Sequence, residues 1–449
     1  RREESVKMKI ESGHVELPSF EQEHHNTDDD FVQADDERSE IKFIDIGAEE
    51  TGQRYFSQKR CSRGILLLSI GCLVWAITST ALLVKSRSDK DDNDDHSIGW
   101  LPLPRGRLSN IAFGSCAEQA VPQPYWDTVV SLNVDLLILG GDNVYGDCHS
   151  EGCPELPNAY NELAAKPSFI GARSTIPMIM IWDDHDYGKN DGYGSNNEMK
   201  SFAKEKFLDF FDIYDERRDY ISRGLQKSYQ FEDLQIILLD TRWYRSAFDP
   251  TDENYAVYKE RYLPSYEIDR TMLGEDQWQW LEAQLKEPAA LRLIVSTIQI
   301  IADGHGWECW RMLPRERDRL YRLLKKYSQA NGKDIILLTG DRHVGGLYKY
   351  QDVDDFVLYE ATGSSWTHTG AHPQSPCDPY NASTTYNCDE PGPLRLGPLI
   401  RADNFVTADI DWDSSMLTLS IRRAHRTDGI GHLNNAGEIL QSIQLPFSS

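Results

Sequence analysis

The stretch MIMIWDDHDYGKND, residues 178–191, decides the fold. Met178 to Trp182 is an apolar run of strand length, and Asp183-Asp184-His185-Asp186 follows it without a spacer. A run of that kind suits a strand buried on both faces. Acids in a row at the edge of a core are costly unless they are paired or coordinated. The chain therefore predicts a buried strand whose tip delivers charge to one place. The same grammar recurs in IAFGSC (111–116), VDLLILGGDNVYGD (134–147), IILLDTR (236–242) and IILLTGDRH (335–343), with a further strand over Leu293 to Ser296. Amphipathic stretches separate these runs at Lys200 to Phe211, Gly274 to Lys286 and Pro314 to Tyr327. The last places Pro at the first helical position and repeats apolar residues at Leu320, Leu323, Leu324 and Tyr327. FVLYEAT, NFVTADIDWD and SSMLTLSIRR read as later strands. The expected fold is α/β, of layered sheets flanked by helices. In such sheets the carboxyl ends of the strands face the ligand crevice, so the polar tips converge.

Converging carboxylates, a thiol, a phenol and imidazoles require cations. The motifs in this order resemble the PhoD-like alkaline phosphatase family of the calcineurin-like metallophosphoesterase superfamily. GSC, GGDNVYGD, WDDHDYGKND, LLDTRWYR, MLGEDQWQWLEAQL, STIQI, LPRERDRL and TGDRH carry the likeness over about residues 108 to 425. Cys116, Asp184-His185-Asp186 and Asp341-Arg342-His343 stand where the wider superfamily has other residues, and an isolated His is replaced near Thr297 or Gln299. The resemblance implies a phosphatase or phosphodiesterase with Fe(3+) and Ca(2+), or alternatively Zn(2+) or Mn(2+). It implies metal ligands among Cys116, Asp142, Tyr145, Asp183, Asp184, Asn190, Asp341 and His343. A thiolate and a phenolate suit trivalent iron, oxygen donors suit calcium, and Asp142 is the natural bridge. In the mechanism the resemblance implies, such ions would lower the pKa of a water for in-line attack on phosphorus. His185 is expected to steady the phosphate or to protonate the leaving alcohol, with Asp186 orienting its ring, while Arg342 and Arg242 are expected to neutralise phosphoryl oxygens. Trp366, His368 and His372, in the loop after the last motif, are candidates for substrate contact.

Around this domain the sequence changes character. Residues 1–50 carry 6 Lys or Arg against 16 Asp or Glu, a net −10 of the chain's −25, and residues 1–63 read as a disordered acidic tail. GILLLSIGCLVWAITSTALLV (64–84) has no charge over 21 residues, and as a helix spans about 31 Å. It predicts a single transmembrane helix. Arg54, Lys59, Arg60 and Arg63 precede it and DKDDNDDH follows soon after, so the N-terminus is expected in the cytoplasm and the catalytic domain in the lumen or outside the cell. Residues 85–107 read as a linker and 108–449 as the phosphatase domain. Cys148 with Cys153, and Cys377 with Cys388, suit local disulfides in an oxidising compartment, and Asn381 lies in a glycosylation sequon between the second pair.

The net charge of −25 excludes a nucleic-acid binder, which needs clustered Lys and Arg against the phosphate backbone. The expected partners are a small-molecule or lipid phosphate ester and a membrane. An anchored receptor or scaffold with a structural metal site is the competing class, and a zinc-type nucleotidase or sphingomyelinase-like hydrolase is the competing enzyme.

Overall fold

A computed structural model describes residues 100–213, 223–251, 261–369, 392–424 and 435–447. The first sheet holds β1 (Asn110–Gly114), β2 (Leu136–Gly140) and β3 (Met178–Ile181), and the second begins with β4 (Lys227–Phe231) and β5 (Leu234–Leu239). A small ribbon, β6 (Asp249–Pro250) with β7 (Tyr262–Leu263), precedes β8 (Leu291–Ser296), β9 (Ile335–Thr339), β10 (Gly345–Gln351), β11 (Val357–Gly363) and β12 (Arg395–Ile400). The chain then returns to the first sheet with β13 (Asn404–Asp411), β14 (Met416–Arg423) and β15 (Ile439–Pro446). The six-stranded sheet runs β15-β14-β13-β1-β2-β3 and the seven-stranded sheet β12-β10-β11-β9-β8-β5-β4. In each, the chemistry-bearing strands are parallel neighbours: β1-β2-β3 in one, β5-β8-β9-β11 in the other.

Side-chain alternation builds the layers. In β9, Ile336 and Leu338 join β1, β2, β13 and β14 residues in one core between the sheets, while Ile335 and Leu337 join a second core with Trp278, Leu281, Leu320 and Leu324. Those four belong to the helices Gly274–Gln284 and Pro314–Tyr327. β2, β5, β8 and β9 are buried at every position, as parallel strands covered on both faces must be. The predicted layered α/β architecture is the observed one, and Pro314–Tyr327 has the expected bounds.

Trp100, assigned to the linker, packs on Phe169, Phe210 and Phe211 with ring centroids 6.0, 6.3 and 5.5 Å away, because an apolar indole gains by burial in that aromatic cluster. Among the described residues no helix is long and apolar enough to cross a membrane, and the span 64–84 and tail 1–63 lie outside them. Cys377, Cys388, Asn381 and His372 also lie outside. Cys148 and Cys153 are joined as a disulfide.

Candidate metal centre and active site

Each sheet ends its parallel strands on the same side, and the tips meet. Four of the converging residues, Cys116 (φ 63°), Asp142 (φ 48°), Asp341 (φ 68°) and His343 (φ 53°), adopt the left-handed backbone that side chains other than glycine avoid. Such strain persists where the surroundings hold it for a purpose. Gly141 (φ 100°) makes the approach possible, since a Cβ there would lie 2.5 Å from the Cβ of Asp183.

The donors fall into overlapping groups. Ligand atoms of Cys116, Asp142 and His343 lie within 4.8 Å of one another, and so do those of Asp183, Asp184 and Asp341, and those of Asp142, Asp184 and His185. The Tyr145 hydroxyl joins the first group, 3.4 Å from Asp142 Oδ2 and 3.1 Å from His343 Nε2. Asp142 is thus shared between a sulfur-phenol-imidazole set and a set with Asp184 and His185, and Asp184 links the latter to the all-carboxylate set with Asp183 and Asp341. Asp183 Oδ2 and Asp184 Oδ1 are buried without a hydrogen-bond partner. Buried carboxylate oxygens in that condition fit cations.

Electrostatics agree. Burial, then Asp184, pushes the Asp142 carboxyl well above its usual range; burial, then Asp183 and Asp184, does the same to Asp341. Burial and Asp142 raise the Cys116 thiol, and burial and Cys116 raise the Tyr145 phenol. Burial also pushes Asp184 upward, but Arg242 and His185 outweigh it and hold that carboxyl low. Without cations the acids resist sharing one charge state, and positive ions reverse that balance.

Several predicted roles change. Arg242 does not face substrate: it is wholly buried and pairs with Asp183 and Glu308, with its Nη2 3.5 Å from Asp184 Oδ1 and 3.6 Å from Asp341 Oδ1. Its long side chain reaches from the β5 tip beneath the carboxylates and balances them. Asp186 does not orient His185. Its Oδ2 accepts from the amides of Asp183 (3.1 Å) and Asn143 (3.0 Å) and its Oδ1 from the Tyr160 hydroxyl (3.1 Å), so it caps the helix Asp184–Tyr187. Asp147 takes the orienting place, with Oδ2 2.8 Å from His185 Nδ1. Burial would lower the His185 imidazole, but Asp184, Asp142 and Asp147 together raise it well above its ordinary value. Asn190 is exposed, and its neighbour Asp191 donates its amide to Asp184 Oδ2 at 2.6 Å and groups with Asp184 and Glu308. Trp366 is core, stacked on Tyr125 (4.5 Å) and Phe405 (5.0 Å). His368 does reach the site, 3.1 Å from the Tyr145 hydroxyl. Arg342 is half-buried with its guanidinium 5.5 Å from the centre of the Trp307 ring.

Asp147, Glu308 and Asp191 were missed as site residues. Asp147 stood inside the quoted GGDNVYGD motif, and only its distance from His185 in sequence hid the pairing. Glu308 follows β8 without a strand-tip signature, and its role depends on where two arginines, Arg242 and Arg245, come to lie.

Two sheets whose parallel strands aim carboxylates, a thiol, a phenol and histidines at one point define a metal-dependent phosphoesterase frame. The model of the PhoD-like phosphatase family matches residues 111–391. The chain belongs to the PhoD-like phosphatase family, and it is a phosphoester hydrolase. A solved structure of PhoD matches with 16% identity over 78% of this chain and 71% of that one, at a TM-score of 0.56, a likeness of fold. GAP50, described as the anchor in the inner membrane complex of Plasmodium, shares 12% identity over 76% of this chain and 90% of that one, at a TM-score of 0.42. No curated protein matches the chain.

Proposed function

We propose that this protein is a membrane-anchored phosphohydrolase that cleaves phosphate mono- or diesters, small or lipid-borne, in the lumen or outside the cell. The observation that carries the catalytic part is the convergence of Cys116, Asp142, Tyr145, Asp183, Asp184, Asp341 and His343 with buried, unbonded carboxylate oxygens among them. Cys116, Asp142, Tyr145 and His343 would hold Fe(3+), and Asp183, Asp184 and Asp341 with shared Asp142 would hold Ca(2+). Such ions supply Lewis acidity toward the phosphoryl oxygens and acidify water.

The residues of the chain do the rest. Asp147 takes the His185 Nδ1 proton in a hydrogen bond, which leaves Nε2 to carry a proton to the departing ester oxygen. Arg342 meets the phosphoryl charge from the β9 tip. Arg242 keeps the carboxylates folded beneath. The anchor rests on the uncharged run 64–84 and its flanking charges, and the lumenal or external site on that orientation and the Cys148–Cys153 disulfide.

The test is elemental analysis of the purified chain together with phosphate release from p-nitrophenyl phosphate and its bis-ester. Iron and calcium with activity, both lost in Asp142→Asn and Asp341→Asn, are expected. Zinc or manganese would correct the metals, and full activity in either folded variant would sink the reading. Deleting 64–84 should release the protein from alkali-washed membranes.

A further inference from the structure

The Cys148–Cys153 disulfide lies against the proton-delivering pair rather than at a distant surface. Asp147, which holds His185 Nδ1 at 2.8 Å, is the residue immediately before Cys148. The Cys148 amide donates to Gly188 O at 2.9 Å, and the Gly188 amide donates to His185 O at 3.3 Å. Gly188 ends the helix Asp184–Tyr187 in the left-handed conformation (φ 88°), and a Cβ on it would come within 2.8 Å of Cys148 Sγ. One sulfur therefore rests on the cap of the helix that carries His185. The other belongs to Cys153, wholly buried just ahead of the helix Glu155–Ala164. His149, Ser150, Glu151 and Gly152 between them are exposed, so the crosslink, together with the Cys148 amide bond to Gly188 O, ties this loop to the core.

We propose that the Cys148–Cys153 disulfide is a positioning element of catalysis, clamping Asp147 against His185 so that the imidazole reaches the leaving-group oxygen. The inference rests on the reading of His185 as the proton donor. Opening the disulfide leaves the Cys148 amide bond to Gly188 O without the covalent tie that supports it, which loosens the segment on the helix cap and lets the carboxylate drift. A phosphine reductant does this with balanced chemistry: the S–S bond breaks, two thiols form, and the phosphine takes oxygen from water to become its oxide. An ångström of drift at a proton donor costs about 10- to 100-fold in rate.

The test compares two substrates in the full chain. p-Nitrophenolate departs without a proton, whereas the alkoxide of glycerol 2-phosphate needs one. Cys148→Ser/Cys153→Ser should lower kcat on glycerol 2-phosphate about tenfold or more, and on p-nitrophenyl phosphate by less than about threefold, with metal content per chain unchanged. In a His185→Gln background the same Cys substitutions should cost nothing further. Equal loss on both substrates, additive loss in the His185→Gln background, or no loss would overturn the proposal. If the double variant does not fold, brief phosphine treatment of folded wild type reads the same ratio. A His185→Gln variant that hits both substrates equally would instead refute the role of His185, so the two failures are distinct.

Discussion

At the scale of single residues, Arg242 is a heavy electrostatic commitment, without exposure and paired with Asp183 and Glu308. Replacing one partner of a buried ion pair leaves uncompensated charge and costs about 3–5 kcal/mol. Arg242→Gln should therefore lower unfolding stability by about that amount in urea denaturation, whereas a substrate-facing arginine would change KM and leave the midpoint alone. Asp403 gives a pH signature away from the metal residues. Burial, opposed by Arg423, pushes its carboxyl up to about 7. The native state then keeps a proton that the unfolded chain releases near about pH 4, so this group makes stability fall as pH rises from about 4 to 7 and adds no slope above that. Asp403→Asn should remove that contribution, and the stability difference between pH 5 and pH 8 should shrink relative to wild type. An unchanged difference would refute the assignment.

At the scale of elements, Gly114 closes β1 where that strand meets the loop after β11. A Cβ there would lie 2.4 Å from Trp366 Cε2, and the indole cannot retreat because Tyr125 and Phe405 stack on it. Gly114→Ala should cost about 1–3 kcal/mol by overpacking. Cys116 follows two residues on, and the Trp366 amide bonds Ser115 O at 3.2 Å, so the same variant should retain less metal by elemental analysis. Elements of this kind were legible in sequence to an instructive degree. Met178–Ile181 and Ile335–Thr339 could be read because strands covered on both faces must be apolar throughout, and the acids that follow must then lie at tips. The partners of those acids could not be read. Whether Asp186 or Asp147 meets His185 depends on the capping geometry of a helix only four residues long, and whether Arg242 points out or under depends on Glu308, which arrives from the loop after β8. The packing of Trp100 could not be read either, because its aromatic partners lie far along the chain.

At the scale of the whole molecule, the net charge of −25 and an anionic substrate are reconciled only if the strand tips bind cations. That makes the metals part of the folded state's energetics as well as of its chemistry. Asp142, Asp183, Asp184 and Asp341 come from three strand tips in two sheets, so the unfolded chain has no comparable site. Ions that bind only the native form stabilise it by about 2.7 kcal/mol at a hundredfold excess over Kd, and each kcal/mol shifts Tm by about 2–4 °C in a domain of roughly 150–250 residues and by less in a larger one. Chelation should lower Tm by several degrees at neutral pH, and adding back calcium and iron should restore it. Asp142→Asn and Asp341→Asn carry one charge fewer at the crowded centre, so their metal-free forms should melt no lower than metal-free wild type. Their response to added ions should be much smaller. A wild-type Tm indifferent to chelation and re-addition would show that the tips hold their charges by protonation and internal pairing alone, and the binding of cations there would have to be abandoned.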